Sequence, residues 1–255
     1  MYSTLVRQHK PETEHTALIL ADLHVPYHNK KALCCALDYG ETLKPDQVII
    51  LGDAIDFYRI SFWKKDPSRM SFAEEIVISQ EILQDISTRF PNSERIYIEG
   101  NHEYRLTPYL WTQAKELHGL KALTVPSLLD LEKMGWRYIV TRKRLADGVA
   151  PYQLGNIYLF HGHEVRCSMN SVNLPRNYYN KVHRNIIVAH HHQSQAYCPR
   201  TITHEYDQAY SIGCLCDLSP DFSPMNNWNH GFAVARWTDK TCRIENKIIV
   251  NGKIT

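Results

Sequence analysis

Residues 95–103 read Arg-Ile-Tyr-Ile-Glu-Gly-Asn-His-Glu, an apolar run of strand length followed at once by a polar turn. Asn101, His102 and Glu103 thus present an amide, an imidazole and a carboxylate directly after a predicted buried strand. Ligands of α/β proteins bind at the carboxyl ends of the strands, so this loop is a candidate site. A purely structural turn remains the alternative, because Gly-Asn is common turn chemistry.

The same pattern, an apolar strand that ends in polar side chains, recurs four more times along the chain. Short apolar runs predict strands at residues 16–21, 47–51, 156–160 and 185–189. The side chains that follow them suit a divalent metal and are Asp22 and His24, Asp53 and Asp56, His161 and His163, and His190 and His192. In extended backbone, Asp22 and His24 would leave the same face. Each residue alone has a structural alternative as a cap or surface side chain, but five such strand ends favour a metal site.

Composition is that of an ordinary globular protein and excludes few functions. The 255 residues are 44% hydrophobic and 22% charged, which allows a sizeable core. With a formal net charge of +2, nucleic-acid binding would need a local basic patch. The seven scattered cysteines lack C-x-x-C spacing and are expected to be reduced thiols. No apolar run is long enough for a membrane span, and the polar residues 1–15 do not form a signal peptide, so we expect a cytoplasmic protein with no membrane contact.

Helical patterns between the first three strands predict parallel βαβ units. A periodic apolar stripe predicts a helix over residues 30–43. A capping box of Ser71 with Glu74 opens a second helix that reaches about residue 90. The order strand, helix, strand, helix, strand therefore predicts an α/β fold with right-handed crossovers.

The remaining segments are less regular. Helical pieces are predicted over residues 106–118 and 127–133, followed by an edge strand at residues 138–141. The segment Arg-Lys-Arg-Leu-Ala-Asp-Gly at residues 142–148 is interpreted as a basic hairpin turn, either solvated or in contact with a phosphate backbone. Strands are predicted near the carboxyl end, at residues 201–203, 209–215, 231–237 and 243–250.

The strand-end residues also carry a family resemblance. Asp22-x-His24, Gly52-Asp53-x-x-Asp56, Gly100-Asn101-His102-Glu103, His161-Gly162 and His190-x-His192 resemble, in order, the five blocks of the calcineurin-like metallophosphoesterases. The one departure is Ala189, where the family usually has glycine. The resemblance implies a four-layer α-β-β-α sandwich with a dinuclear metal site at the strand ends. It also implies a single domain over residues 1–255, a helical insert at about residues 104–137 and a second sheet that contains the carboxyl-terminal strands.

The resemblance implies a ligand set as well. One metal would take Asp22, His24 and His192, the other would take Asn101, His161 and His190, and Asp53 would bridge them. Two dications so placed share a water that can supply hydroxide near neutral pH. Mixed nitrogen and oxygen ligands favour Mn²⁺, with Fe or Zn²⁺ as alternatives, over Mg²⁺ or Ca²⁺.

Further roles are implied for residues that are not ligands. His102 would lie over the scissile phosphate and help the leaving oxygen, and Asp56 would orient it. His28, Arg105 and His163 lie next to motif residues. They are either substrate contacts or structural side chains.

Two positions bear on the substrate. The protein serine/threonine phosphatases of this superfamily carry one arginine directly after Gly-Asp-x-x-Asp and another directly before Gly-Asn-His-Glu, where this chain has Phe57 and Glu99. Those arginines clamp a phosphomonoester dianion, so their replacement favours a phosphodiester, with DNA, RNA or a nucleotide diester as the expected substrate. The insert resembles that of compact phage and bacterial members. A phosphomonoesterase acting on a phosphoprotein or nucleotide and a non-catalytic scaffold are the alternatives.

Overall fold

The computed structural model describes residues 13–167, 172–200, 202 and 207–255. The α-helices within these residues are α1 (Lys30–Leu43), α2 (Phe72–Arg89), α3 (Asn101–Tyr104), α4 (Leu106–Gln113), α5 (Val125–Leu128), α6 (Thr141–Ala146) and α7 (Leu174–Val182). The strands are β1 (His15–Leu20), β2 (Gln47–Leu51), β3 (Glu94–Ile98), β4 (Trp136–Ile139), β5 (Tyr152–Leu154), β6 (Ile157–Leu159), β7 (Ile186–Val188), β8 (Gln195–Tyr197), β9 (Ala209–Ser211), β10 (His230–Trp237), β11 (Cys242–Val250) and β12 (Lys253–Ile254). No helix among these is long and apolar enough to cross a membrane.

The larger sheet has seven strands in the order β12-β11-β10-β1-β2-β3-β4. β1 to β4 are parallel neighbours, and Ile49 of β2 lies opposite both Ile19 of β1 and Ile96 of β3. Both faces of these strands are covered, which is why they read as continuous apolar runs in the sequence. The parallel βαβ prediction is therefore confirmed.

The smaller sheet has five strands in the order β5-β6-β7-β9-β8. β6, β7 and β9 are parallel, while β5 and β8 pair antiparallel at its two edges. The ends of β6 and β7 lead to His161 and His190. Both sheets thus contribute strand ends to one site.

Apolar side chains fill the spaces between four layers. Ile19 and Ile49 of the larger sheet pack in one cluster with Leu159 and Ile187 of the smaller sheet. The other face of the larger sheet packs against α1 and α2, and the outer face of the smaller sheet packs against α7. The predicted α-β-β-α sandwich is confirmed.

Local signals placed the first two helices correctly. α1 runs from Lys30 to Leu43 as predicted, and the Asn29 side chain caps it by accepting from the Ala32 backbone N–H at 3.0 Å. Ser71 and Glu74 form the predicted capping box at the start of α2. These caps satisfy helix N–H groups that would otherwise lack partners.

Two of the four predicted carboxyl-terminal strands lie in a different sheet from the one expected. β10 pairs antiparallel with β1 and carries β11 and β12, so these strands extend the larger sheet. Of the predicted carboxyl-terminal strands, β9 joins the smaller sheet. The strand predicted at residues 201–203 lies outside the described residues apart from residue 202.

Two other predictions were wrong in detail. The segment predicted as a basic hairpin turn is instead the helix α6. Asp147 and Gly148 follow its last residue, and Gly148 has φ of +72°. Glycine with positive φ terminates helices as readily as it forms hairpin turns, so the Asp-Gly signal was ambiguous. The helix predicted at residues 127–133 is the shorter α5, which takes Pro126 into its first turn.

Candidate metal centre

The structure brings together all seven side chains that the sequence suggests as ligands. They follow strand ends from both sheets and are Asp22, His24, Asp53, Asn101, His161, His190 and His192. The described residues contain three groups of possible ligands, and within each group the ligand atoms all lie within 4.8 Å of one another. These groups are His24, His192 and Cys216; His24, Asp53 and His102; and Asp53, His161 and His190.

One half of the cluster contains Asp22, His24 and His192. The Nε2 atoms of His24 and His192 are 3.2 Å apart. Asp22 Oδ1 lies 3.5 Å from His192 Nε2 and 3.9 Å from His24 Nε2. Two imidazole nitrogens and a carboxylate oxygen therefore converge on one point.

The other half is built around His161. Its Nε2 lies 3.1 Å from Asp53 Oδ2 and 3.1 Å from Asn101 Oδ1. A ring nitrogen of His190 lies within 4.8 Å of a ring nitrogen of His161 and of a carboxylate oxygen of Asp53. Because Asp53 Oδ2 is also 3.9 Å from His24 Nε2, Asp53 lies between the two halves.

The histidine rings are held in the orientation that metal ligands need. His161 Nδ1 donates to the Leu51 carbonyl at 2.7 Å, so its Nε2 faces the cluster. His24 Nδ1 lies 3.1 Å from Asp56 Oδ2, and His192 Nδ1 lies 3.8 Å from the Cys216 sulfur. Metal-bound histidines typically use one ring nitrogen for the ion and the other for such a partner.

Left-handed backbone, rather than extended backbone, aims the ligands. Asp22, His24 and Asp53 have φ of +51°, +49° and +52°, and His190 and His192 also have positive φ. The expectation that Asp22 and His24 share a face of extended backbone is therefore wrong. Such conformations cost energy for residues with a side chain, and they cluster at functional sites.

Glu103 holds the loops after β2 and β3 together, a role that the sequence did not suggest. Its buried carboxylate accepts from the backbone N–H groups of Asp53 at 3.0 Å, Ala54 at 2.9 Å and Gly100 at 2.8 Å, and from Tyr97 Oη at 2.7 Å. Burial and the neighbouring Asp53 raise the pKa of Glu103 to about 7. This one side chain thus fixes the backbone that carries Asp53 on one side, and backbone hydrogen bonds from Asp22, His24 and Val25 hold it on the other.

Asp56, His102 and Arg105 form a connected group beside the cluster. His102 Nδ1 donates to the Asp56 carbonyl at 2.8 Å and lies 3.3 Å from Asp56 Oδ2. Arg105 contacts the same carbonyl at 2.8 Å and His102 Nε2 at 2.9 Å. Burial acts to raise the pKa of Asp56, but hydrogen bonds from His102 and His24 outweigh it and lower the pKa.

His163 and His28 are connected to the cluster in different ways. The His163 ring centroid is 5.4 Å from that of His161, and its two buried nitrogens have no hydrogen-bond partner among the described residues. His28 forms a backbone bridge with Cys216, whose sulfur lies 3.8 Å from His192 Nδ1. The structure therefore brings the His163 ring up to a candidate ligand and links His28 to the cluster through the backbone of Cys216.

The two positions that distinguish the phosphatase branch offer no free cation. Phe57 is fully buried and stacks on Phe72 with ring centroids 5.4 Å apart. The Glu99 carboxylate accepts from Tyr138 Oη at 2.9 Å and from Arg142 Nη2 at 2.8 Å. Arg142, on α6, is thereby paired with a carboxylate.

Neighbouring charges set the protonation of the cluster. Burial acts to raise the pKa of Asp53, but His161 and His102 outweigh it and hold the pKa well below its usual range. Burial acts to lower the pKa of His161, but Asp53 raises it to about 10. Asp22 outweighs burial in the same way and raises the pKa of His192 to about 10.

The residues present fit divalent metal ions. Asp22 Oδ1 is buried, points at His24 and His192, and has no hydrogen-bond partner among the described residues. A buried carboxylate oxygen without a partner is costly, and a cation there would remove that cost. Imidazole, carboxylate and amide together suit a metal such as Mn²⁺, Fe or Zn²⁺.

Comparison with known proteins agrees with this geometry. A family model described as calcineurin-like phosphoesterase matches residues 15–221. The chain belongs to this family. The phosphoesterase resembles the Gene 54 proteins of Mycobacterium phage L5, at 23% identity over 253 residues, and phage D29, at 26% over 255 residues. Each alignment covers 93% of this chain and 95% of the phage protein.

Solved structures include more distant likenesses to this phosphoesterase. Vacuolar Protein Sorting 29 from Cryptosporidium parvum has a TM-score of 0.48 at 12% identity, with 95% of each chain covered. The nuclease MPE of Pseudomonas putida has a TM-score of 0.39 at 13% identity, with 85% of this chain and 83% of that chain covered. The family places this chain among metal-dependent phosphoric ester hydrolases.

Proposed function

We propose that the protein is a dinuclear-metal phosphodiesterase whose substrate is nucleic acid or a nucleotide diester. In this proposal Asp22, His24 and His192 hold one ion, and Asn101, His161 and His190 hold the other. Asp53 would be shared by the two groups of ligands, since its Oδ2 lies 3.9 Å from His24 Nε2 and 3.1 Å from His161 Nε2.

Mn²⁺ is the proposed metal because the ligands mix imidazole, carboxylate and amide. When bound, two such ions lower the pKa of a shared water and offset the charge of the phosphate in the transition state. Asp22 and Asp53 contribute two negative charges, so two dications would leave the centre near +2. The protein's own contribution is to hold these ligands in a buried, oriented cluster.

His102 is the proposed proton donor to the leaving oxygen. Its Nδ1 is held by the Asp56 carbonyl, which directs Nε2 away from that anchor. Nε2 now accepts from Arg105 Nη2 at 2.9 Å, so it would have to part from Arg105 and take up a proton before donating that proton to the leaving oxygen as the phosphorus–oxygen bond breaks. Arg105, which contacts Nε2 and is also held by Asp56, would lie beside the departing charge.

The observation that carries the preference for a diester is the pairing of both nearby arginines. Arg142 donates to Glu99, and Arg105 lies 3.3 Å from a carboxylate oxygen of Asp56. Neither guanidinium is an uncompensated cation ready to clamp the second negative charge of a monoester. A diester has one charge fewer and needs no such clamp.

Hydrolysis of two model substrates tests the proposal. The purified protein is given bis-p-nitrophenyl phosphate or p-nitrophenyl phosphate, with Mn²⁺ or with a chelator. We expect metal-dependent turnover and a higher kcat/KM for the diester. A preference for the monoester would replace the proposal with a phosphomonoesterase, and metal binding without turnover of either would favour a scaffold.

Matched substitutions test the residue assignments. Asp53→Asn should abolish binding of two Mn²⁺ ions, whereas Asp85→Asn, on the exposed side of α2, should not. His102→Ala should lower kcat about 100-fold or more while leaving metal binding intact, since general acid catalysis contributes 10²–10⁴-fold. His118→Ala, an exposed histidine, is its control. Full activity of His102→Ala would refute its proposed role.

A further inference from the structure

The loop of residues 61–70 exposes two large aromatic side chains to solvent. Phe62 is 96% exposed and Trp63 is 73% exposed, with ring centroids 6.1 Å apart. Lys64 and Lys65 follow and are also exposed. Neighbouring exposed aromatics are unusual on a folded protein and mark a binding surface.

This loop is fastened beside the metal centre. It follows Asp56 by five residues, and Arg59 donates to the carbonyls of Pro67 and Met70 at 2.9 Å each. The Tyr58 hydroxyl accepts from the Asp66 backbone N–H at 2.6 Å. The base of the loop is therefore held by the residues that directly follow the candidate catalytic group.

A second segment carries aromatic rings up to His192, a candidate metal ligand. Phe222 is 82% exposed, and its ring centroid lies 6.2 Å from that of Trp228. Trp228 in turn lies 4.1 Å from the His192 ring. The two segments are joined, because Arg69 of the loop forms an ion pair with Asp221, the neighbour of Phe222.

The charges beside these rings are mostly compensated, except at the lysines. Asp221 is paired with Arg69, and Asp66 accepts from Ser68. No ion pair of Lys64 or Lys65 occurs within the described part of the chain. Exposed ammonium groups beside exposed rings match a polyanion whose bases are unstacked.

We propose that this surface binds single-stranded nucleic acid and guides it to the metal centre. Bases would stack on Phe62, Trp63 and Phe222, and Lys64 and Lys65 would contact the phosphates, with Trp228 as the last ring before the ligands. A duplex hides the faces of its bases, so it cannot use these rings. The inference rests on the proposed phosphodiesterase function and specifies its substrate class.

Binding measured without turnover tests the inference apart from the activity. Fluorescence anisotropy in EDTA is recorded with labelled 20-nucleotide single strands of DNA and RNA and with the matching duplex. We expect at least one of the single strands to bind more tightly than the duplex. Phe62→Ala/Trp63→Ala should weaken single-strand binding at least about thirtyfold, because each of the two rings contributes about fivefold or more by stacking on a base.

Lysine substitutions and remote controls separate stacking from charge. Lys64→Ala/Lys65→Ala should reduce the slope of log Kd against log salt by about 1.4, or about 0.7 for each phosphate that a lysine no longer neutralises. Val250→Ala and Lys253→Ala, at the far edge of the larger sheet, should change neither quantity. Turnover of bis-p-nitrophenyl phosphate should be unchanged in the loop variants, because none of the four substituted side chains belongs to the candidate ligands or to the group of Asp56, His102 and Arg105.

The outcomes distinguish the two proposals. Loss of strand binding with normal turnover of the small diester supports the inference. Equal or tighter binding of the duplex, or single-strand binding that is unaffected by the loop variants, overturns it while leaving the phosphodiesterase proposal intact. No strand binding, together with self-association that Phe62→Ala/Trp63→Ala abolishes in sedimentation, also overturns it and assigns the loop to contacts between copies of the chain.

Discussion

Replacing Glu103 with glutamine should loosen the metal centre by disrupting the loops beneath it. The change keeps the size of the side chain but substitutes an NH₂ group for one oxygen. If that group takes the place of Oε2, it faces the N–H groups of Asp53 and Gly100. Oε2 now accepts hydrogen bonds from these two groups at 3.0 and 2.8 Å. Flipping the amide moves the conflict to the N–H groups of Ala54 and Ile55, which donate to Oε1 at 2.9 and 3.4 Å, while the Tyr97 hydroxyl can turn to accept from the NH₂ group. In either orientation two buried donors are left without an acceptor.

The size of the effect follows from those two unsatisfied donors. Each unsatisfied buried donor costs about 1–3 kcal/mol and two cost about 2–6 kcal/mol, so we expect Glu103→Gln to lower the free energy of unfolding by about 4 kcal/mol. A domain of 5–15 kcal/mol stability would still fold. Tyr97→Phe removes one of the hydrogen bonds and should cost about 1 kcal/mol. Glu132→Gln, at an exposed position, should cost almost nothing.

Urea unfolding at pH 8, followed by tryptophan fluorescence in EDTA, measures these differences. At that pH the Glu103 carboxylate is ionised, since its pKa is about 7. EDTA removes any stabilisation by bound metal. Calorimetric titration with Mn²⁺ should then show weaker binding by Glu103→Gln. A loss of stability no larger than that of Tyr97→Phe, with unchanged Mn²⁺ affinity, would refute the role assigned to Glu103.

Three further predictions concern single residues of the same region. Gly100→Ala would place a methyl group against the Asp53 carboxylate and backbone nitrogen, so Mn²⁺ binding should be abolished in calorimetry; retained affinity would contradict this. Burial raises the pKa of Glu75 to about 8, so the folded protein keeps a proton that the unfolded chain releases above about pH 4.5. Glu75 should therefore contribute about 3 kcal/mol of stability that is lost from pH 5 to pH 8, so the fall over that range should be about 3 kcal/mol smaller in Glu75→Gln than in the unsubstituted protein; parallel urea profiles would count against it. Mn²⁺ must displace protons from His161 and His192, so its affinity should be higher at pH 8 than at pH 6. Calorimetry should also detect the released protons, and equal affinities at the two pH values would refute the prediction.

The strand ends could be predicted because each apolar run stops abruptly at a polar residue. β2 has the predicted bounds, Gln47–Leu51, since its burial on both faces leaves no ambiguity in the pattern. The existence of β10 could also be predicted, from the continuous apolar run at residues 231–235, which is typical of a central strand. The prediction placed it in the wrong sheet because alternation and burial do not specify the neighbours of a strand.

The supporting contacts of the site could not be predicted, because they join residues that are far apart in the sequence. In the sequence Glu103 is one polar residue among several, and only the structure shows that the N–H groups of Asp53, Ala54 and Ile55, some 50 positions away, donate to it. Trp228 and Cys216 reach His192 from loops with no motif of their own. The ligand roles of the strand-end residues remain predictions that the metal titrations will test.

The place of β10 beside β1 makes the first ligands depend on the last strands. β1, which leads into Asp22 and His24, pairs on one side with β2 and on the other with residues 230–237. During synthesis the ribosome releases β1 and β2 more than 150 residues before β10, so β1 keeps an unpaired edge for most of translation. Loss of the segment after residue 229 would leave that edge open in the finished chain and expose it to pairing with other molecules.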